Sequence, residues 1–121
     1  MRKPEIINYK GKNIVYIDLS GMKNQEEIMQ LEKEGSDLIR QHPLNSVLTL
    51  TNMEGMYFNN TLKSYFESLV KLNAPHVKAG AVIGMNGLIS IMYNAFVSMT
   101  GRNIKSVKTK EEAMEYLYSQ N

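Results

Sequence analysis

The chain contains no cysteine. Disulfides, thiolate chemistry and cysteine-based zinc sites are excluded together, and this residue usage fits a reducing compartment. Histidine is almost as scarce. His42 and His76 each adjoin a proline at a predicted helix exit, and neither lies at a spacing that suits a triad or a metal. No metal and no cofactor are therefore expected. The net charge, +2, is too small to argue for nucleic acid. Arg102, Lys105, Lys108 and Lys110 form a loose basic stretch, but aromatic residues do not interleave with it as in a single-strand binder. It reads as a solvated edge. An apolar leader is also missing, since Met1-Arg2-Lys3-Pro4 runs into Glu5 and a polar segment. Cytoplasm is the expected location.

One uncharged stretch, between Lys78 and Arg102, is long enough to span a bilayer. Gly80, Gly84, Asn86, Gly87, Ser90, Asn94 and Ser98 interrupt it. It reads as a buried strand, a glycine-bounded turn and a largely buried helix, so a membrane span is rejected.

What is present is periodicity. Ile6 to Tyr9 and Ile14 to Leu19 are β-rich runs around Lys10-Gly11-Lys12, a hairpin signal. The second run is almost continuously apolar, as in a central strand covered on both faces. Asn24 caps a helix carrying Ile28, Leu31, Leu38 and Ile39 on one face, with Glu27 placed for a capping box. Glu32, Lys33 and Asp37 are assigned largely off that face. Gly35 falls on it, which suggests close helix-on-sheet packing, and Pro43 closes the helix. Ser46 to Thr51 is the next strand. A helix from Asn59 or Asn60 follows, with Leu62, Tyr65, Phe66, Leu69 and Val70 as its stripe. Ala79 to Ile83 is a strand, Asn86 to Thr100 a helix, and Asn103 to Val107 a strand. Thr109 to Glu112 caps the last helix.

The order β-β-α-β-α-β-α-β-α predicts an α/β fold, with a mostly parallel sheet, an N-terminal hairpin strand and four helices. Repeats, linkers and low-complexity tracts are missing, so residues 1–121 are expected to form one domain.

This order resembles the STAS fold of anti-sigma factor antagonists, and within it the SpoIIAA-like group. The residues that carry the resemblance are Ala81-Val82-Ile83-Gly84, Met99-Thr100-Gly101-Arg102-Asn103-Ile104, Thr109-Lys110-Glu111-Glu112-Ala113 and Tyr116-Leu117. The resemblance implies a regulatory module that binds a protein and catalyses nothing. STAS antagonists place a phosphorylated serine, in an Asp-Ser-Ser-Gly type of motif, at the helix start after the second strand of the main sheet. Here that region reads Tyr57-Phe58-Asn59-Asn60-Thr61-Leu62. Without a serine the phosphoswitch does not carry over, and Thr61 is the nearby hydroxyl.

Paired carboxylates at Glu26-Glu27 and Glu111-Glu112 lie in first helical turns, where they favour the helix dipole over acid–base chemistry. Gly84-Met85-Asn86-Gly87 is a strand-to-helix turn without phosphate-loop spacing. The informative pattern is topological. Met22, Met53, Met56, Tyr57, Phe58 and Met85 fall just after the carboxyl ends of predicted parallel strands, the edge where open α/β sheets place ligands. Asn52, Asn60, Thr61 and Asn86 lie beside them and complete the candidate contact surface. Methionine suits adaptable contacts. The chain reads as a non-enzymatic interaction module, with a protein partner or a second copy of itself. The alternative is a carrier or sensor holding a small apolar or amphipathic ligand at the same edge.

Overall fold

The computed structural model describes residues 2–84, 90, 94 and 103–120. Its elements are β1 (Glu5–Tyr9), β2 (Lys12–Asp18), α1 (Gln25–Arg40), β3 (Val47–Asn52), α2 (Asn60–Asn73), β4 (Val77–Ile83), β5 (Asn103–Val107) and α3 (Lys110–Tyr118). Among the described residues the helices number three, not the expected four. The helix read from Asn86 to Thr100 lies outside them except for Ser90 and Asn94, both of which have helical backbone.

The five strands form one sheet in the order β1-β2-β3-β4-β5. Lys10 (φ 51°) and Gly11 (φ 88°) both take left-handed backbone, as a two-residue hairpin turn requires. So short a turn leaves no room for a crossover, and β1 runs antiparallel to β2. The β2-β3, β3-β4 and β4-β5 pairs are parallel. The sheet is therefore mixed, which corrects the expectation of a mostly parallel one.

Side-chain alternation along β2 divides the core. Val15, Ile17 and Leu19 face α1 and α2 together with Ile28, Leu31, Leu62 and Phe66. Ile14 and Tyr16 face the other way, towards Leu50, Ala81, Ala113 and Leu117. All four residues from Ile14 to Ile17 are buried, as their continuous apolar run predicts. On α1, Gly35 lies against Ile17, and a Cβ there would overlap the Ile17 side chain. The glycine sets how closely the helix approaches the sheet.

Each helix begins on a side-chain cap. Asn24 accepts from the Glu27 N–H at 3.0 Å, Asn59 from Leu62 at 2.9 Å and Thr109 from Glu112 at 3.1 Å. Such caps contribute about 1 kcal/mol each. The residues buried on α1 are Ile28, Leu31, Glu32, Gly35, Ser36 and Ile39. Glu32 thus sits on the buried face, against the assignment from sequence. It stands four residues after Ile28 and three before Gly35, on the same side of the helix.

Candidate functional site

The carboxyl edge of the sheet is formed by two loops that run side by side. The first, residues 19–24, leads from β2 into α1. The second, residues 53–59, leads from β3 into α2. Their backbones are tied directly. Leu19 N–H donates to the Asn52 carbonyl, Gly21 to Glu54 and Tyr57 to Met22, each at 2.8 Å. Met53 N–H donates to the Ile83 carbonyl, also at 2.8 Å, which joins the edge to β4. Gly84 (φ 84°) lies so close to Glu54 that a Cβ would overlap the Glu54 backbone nitrogen. Only glycine fits both that backbone and that space.

Side chains complete the framework. Asp18 Oδ1 accepts from the Ser20 N–H at 3.0 Å and from the Ser20 hydroxyl at 2.6 Å. Arg2 donates to the carbonyls of Ser20 (2.6 Å) and Asp18 (3.1 Å), which holds the N-terminal arm against the first loop. Asn52 Oδ1 accepts from the Glu54 N–H at 3.0 Å, and the Asn52 side chain lies near the Tyr16 phenol. Burial pushes that phenol above its ordinary value, and the Asn52 contact partly offsets the rise. Asn59 Nδ2 donates to Gln25 Oε1 at 2.7 Å and to the Tyr57 hydroxyl at 3.1 Å. The two helix starts and the aromatic residue between them are therefore one bonded unit.

The residues singled out by sequence do not all reach the surface. Met53 and Met56 are 6% and 5% exposed and belong to the core beneath the loops. Their backbones turn at the sheet edge, and Met56 N–H donates to the Met53 carbonyl at 3.2 Å, so both side chains point inward. Phe58 is half-buried and packs edge-to-face on Phe66, with centroids 5.8 Å apart. It acts as an apolar lock on α2 one turn deeper than a hydrophobic staple would. Met22 and Asn52 are half-buried, while Asn60 and Thr61 are exposed in the first turn of α2. Tyr57 is the large exposed residue of the group, at 44%. Met85 and Asn86 lie outside the described residues.

Sequence reading passed over Arg2, which carries no local signal three residues before a strand. It also passed over a cleft of about 550 Å³ beside Met22, lined by Arg2, Glu27, Gln30, Leu31 and Glu34. The i, i+3, i+7 spacing of Glu27, Gln30 and Glu34 is the signal that could have found it. Lys3 bridges to Glu34 at 3.0 Å and holds that carboxyl below its ordinary value. The cleft is polar and charged, with Met22 and Leu31 as its apolar part.

Elsewhere the two histidines tie loops at the opposite edge. His42 Nδ1 faces the Leu38 carbonyl at 2.9 Å, and His76 Nδ1 faces the His42 carbonyl at 2.8 Å, which makes each Nδ1 a donor. Of the basic stretch, Lys105 lies over the Tyr116 ring and Lys110 over the Tyr16 ring, at 5.2 and 4.5 Å. Arg102 lies outside the described residues. Among the described residues no helix is long and apolar enough to cross a membrane.

Comparison with known proteins agrees with this architecture. The SpoIIAA-like family model matches residues 14–118, and the chain belongs to that family. Its members are often regulatory or protein-interaction modules. Two solved structures share the fold. One is an uncharacterized protein with a SpoIIAA-like fold from Shewanella loihica, 12% identical, with a TM-score of 0.67 over 94% of this chain and 91% of that one. The other is an anti-sigma-factor antagonist (STAS) domain protein from Planctomyces limnophilus, 13% identical, with a TM-score of 0.61 over 98% and 100%. No curated protein matches the sequence.

Proposed function

We propose that residues 1–121 act as one cytoplasmic domain, a non-enzymatic regulatory module that binds a protein through the carboxyl edge of its sheet. The contact surface on this reading is Tyr57 with Met22, Asn52, Asn60 and Thr61 around it, and the sequence adds Met85 and Asn86, which lie outside the described residues. Met53, Met56 and Phe58 support it from below. Tyr57 carries the reading. It is a large aromatic side chain at 44% exposure, yet its N–H and its hydroxyl are both bonded. A rigid aromatic of this kind gives contact area at little entropic cost, which is why tyrosine is common among binding hot spots. The kinship with an anti-sigma-factor antagonist domain protein supports a protein as the occupant.

A photo-crosslinking residue in place of Tyr57 tests this in cells. Leu44, 67% exposed at the opposite edge, is the control position. Discrete adducts at 57 and none at 44 are expected, with mass spectrometry separating a second copy of the chain from another protein. Equal labelling at both positions would refute the assignment. The carrier alternative draws on the cleft beside Met22, whose volume is within the range of small-molecule sites. Its carboxylates suit a polar or cationic ligand better than an apolar one. Native mass spectrometry showing a retained small molecule would favour it.

A further inference from the structure

A second cleft lies at the edge of the sheet opposite the paired loops, among the amino ends of β2, β3 and β4. Its volume of about 460 Å³ is within the range of small-molecule sites. An irregularity in the ladder brings a charge to it. Val47 pairs with Val77, but Leu48 pairs with Ala79, so Lys78 is an extra residue on β4. Residues two apart on a regular strand share a face. Here Val77 packs into the core under α1 and α2, whereas Ala79 packs into the core under α3. The N–H groups of Ser46 and Val47 both donate to the His76 carbonyl, at 3.0 and 2.9 Å, which fixes the two strands against each other at the bulge. Bulges are uncommon between parallel strands, and they re-aim side chains. The Lys78 side chain is half-buried and lines the cleft.

The walls are matched to an anion with an apolar body. No aspartate or glutamate is among the described residues that line this cleft, unlike the cleft beside Met22 with its Glu27 and Glu34. The Lys78 ammonium has neither a hydrogen-bond partner nor an ion-pair partner among the described residues. Lys12, which also lines the cleft, is held by the carbonyls of Tyr118 and Gln120 at 2.8 and 3.0 Å. Ile6, Val15, Pro43 and Val47 supply the apolar wall, and Ile6 is 48% exposed. We propose that this cleft binds a small organic anion, its head group on Lys78 and its apolar body along Ile6 and Val47. A half-buried ammonium meets an anion with less competition from water than a surface lysine does, and the charge-assisted hydrogen bond is correspondingly strong. Tyr57 lies at the other end of the strands, so this site stands or falls independently of the protein-binding edge.

The probes are hexanoate, hexyl phosphate, hexylammonium and 1-hexanol, titrated into the full chain at fixed ionic strength and followed by amide NMR. Hexanoate or hexyl phosphate should shift the amides of residues 12–15, 46–48 and 77–79, and the tighter of the two identifies the head group as carboxylate or phosphate. Hexylammonium and hexanol should bind at least about tenfold more weakly, as loss of a charge-assisted bond implies. Lys78→Gln should weaken anion binding by about tenfold or more. Lys78→Arg should retain it, and both variants should melt with the parent. Equal binding of hexanol and hexanoate would overturn the anion assignment, and that comparison needs no variant. Anion-induced shifts that are missing, or that centre on residues 19–24 and 53–59, would overturn the site. So would undiminished binding to folded Lys78→Gln.

Discussion

The two faces of the sheet are held by different physics. On one, α1 and α2 are long helices that bury Ile28, Leu31, Ile39, Leu62, Phe66 and Leu69 against β2 and β3. On the other, α3 has nine residues and buries only Ala113 and Leu117. Polar contacts from the hairpin make up the difference. Glu115 accepts from the Tyr9 hydroxyl and from Lys10, the latter at 2.7 Å. Lys12 donates to the carbonyls of Tyr118 and Gln120 at 2.8 and 3.0 Å, capping the helix at its negative end. A short helix with little apolar area is positioned by charge, while a long one is positioned by packing and can tolerate a misfit such as Glu32.

The largest effect expected is from Phe66→Ala. Phe66 is 1% exposed and stacked on Phe58, so the substitution should cost about 3–5 kcal/mol. Leu117→Ala removes the main apolar anchor of α3 and should cost about 2–3 kcal/mol, near the low end for a buried leucine, because a nine-residue helix that buries two side chains can relax. Urea unfolding of both variants measures the difference. If Leu117→Ala proves the more damaging, α3 is a packed helix like the others and the contrast between the faces is wrong.

The faces should also answer pH with opposite signs. Glu32 titrates at about 7 when folded against 4.5 ordinarily, so the folded state holds the proton more tightly. Its contribution to stability falls as pH rises from 4.5 to 7 and is level beyond that, a loss of about 3 kcal/mol in all. Glu115 is held below its ordinary value, first by the Lys10 hydrogen bond and then by Tyr9. Its contribution is present above 4.5 and is lost as pH falls through the lowered value. Screening by salt makes this second effect the smaller one. Amide exchange in α3 at pH 3, with and without added salt, should show release of that helix ahead of α1. A single pH slope shared by all three helices would show that the faces do not behave independently.

The record of what was legible in sequence follows the same division. The caps Asn24, Asn59 and Thr109 and the close approach at Gly35 were all readable, because each depends on local geometry and on residues a few positions apart. Residue type places Glu32 off the apolar stripe, whereas its helical position decides its burial. The spacing Ile28, Leu31, Glu32, Gly35, Ser36, Ile39 places it on the buried stripe. The candidate edge was legible from topology, but the depth of its residues was not. Met53 and Met56 follow a strand end, and whether such side chains turn in or out depends on the hydrogen bonds between two loops far apart in sequence. Arg2 and Lys3 acquire their partners, Ser20 and Glu34, only through the folded arrangement of the arm.

The smallest stability effect should come from the residue on which the binding proposal depends. Met56 and Tyr57 are neighbours in one loop, but Met56 is 5% exposed and Tyr57 is 44% exposed. Met56→Ser removes a core side chain and should cost about 2 kcal/mol or more. Tyr57→Ser keeps the backbone bond to Met22 and gives up only the hydroxyl contact with Asn59. Asn59 Nδ2 retains Gln25, so the change should stay within about 0.5 kcal/mol, as for an ordinary surface position. A thermal melt separates the two variants. Tyr57→Ser should then lose the adducts formed by a crosslinker placed at the neighbouring exposed Asn60, although the fold is intact. Unchanged adducts would mean that the aromatic ring is not part of the contact. A large drop in melting temperature would mean that its bond to Asn59 supports the fold, and the exposed ring would no longer argue for a partner.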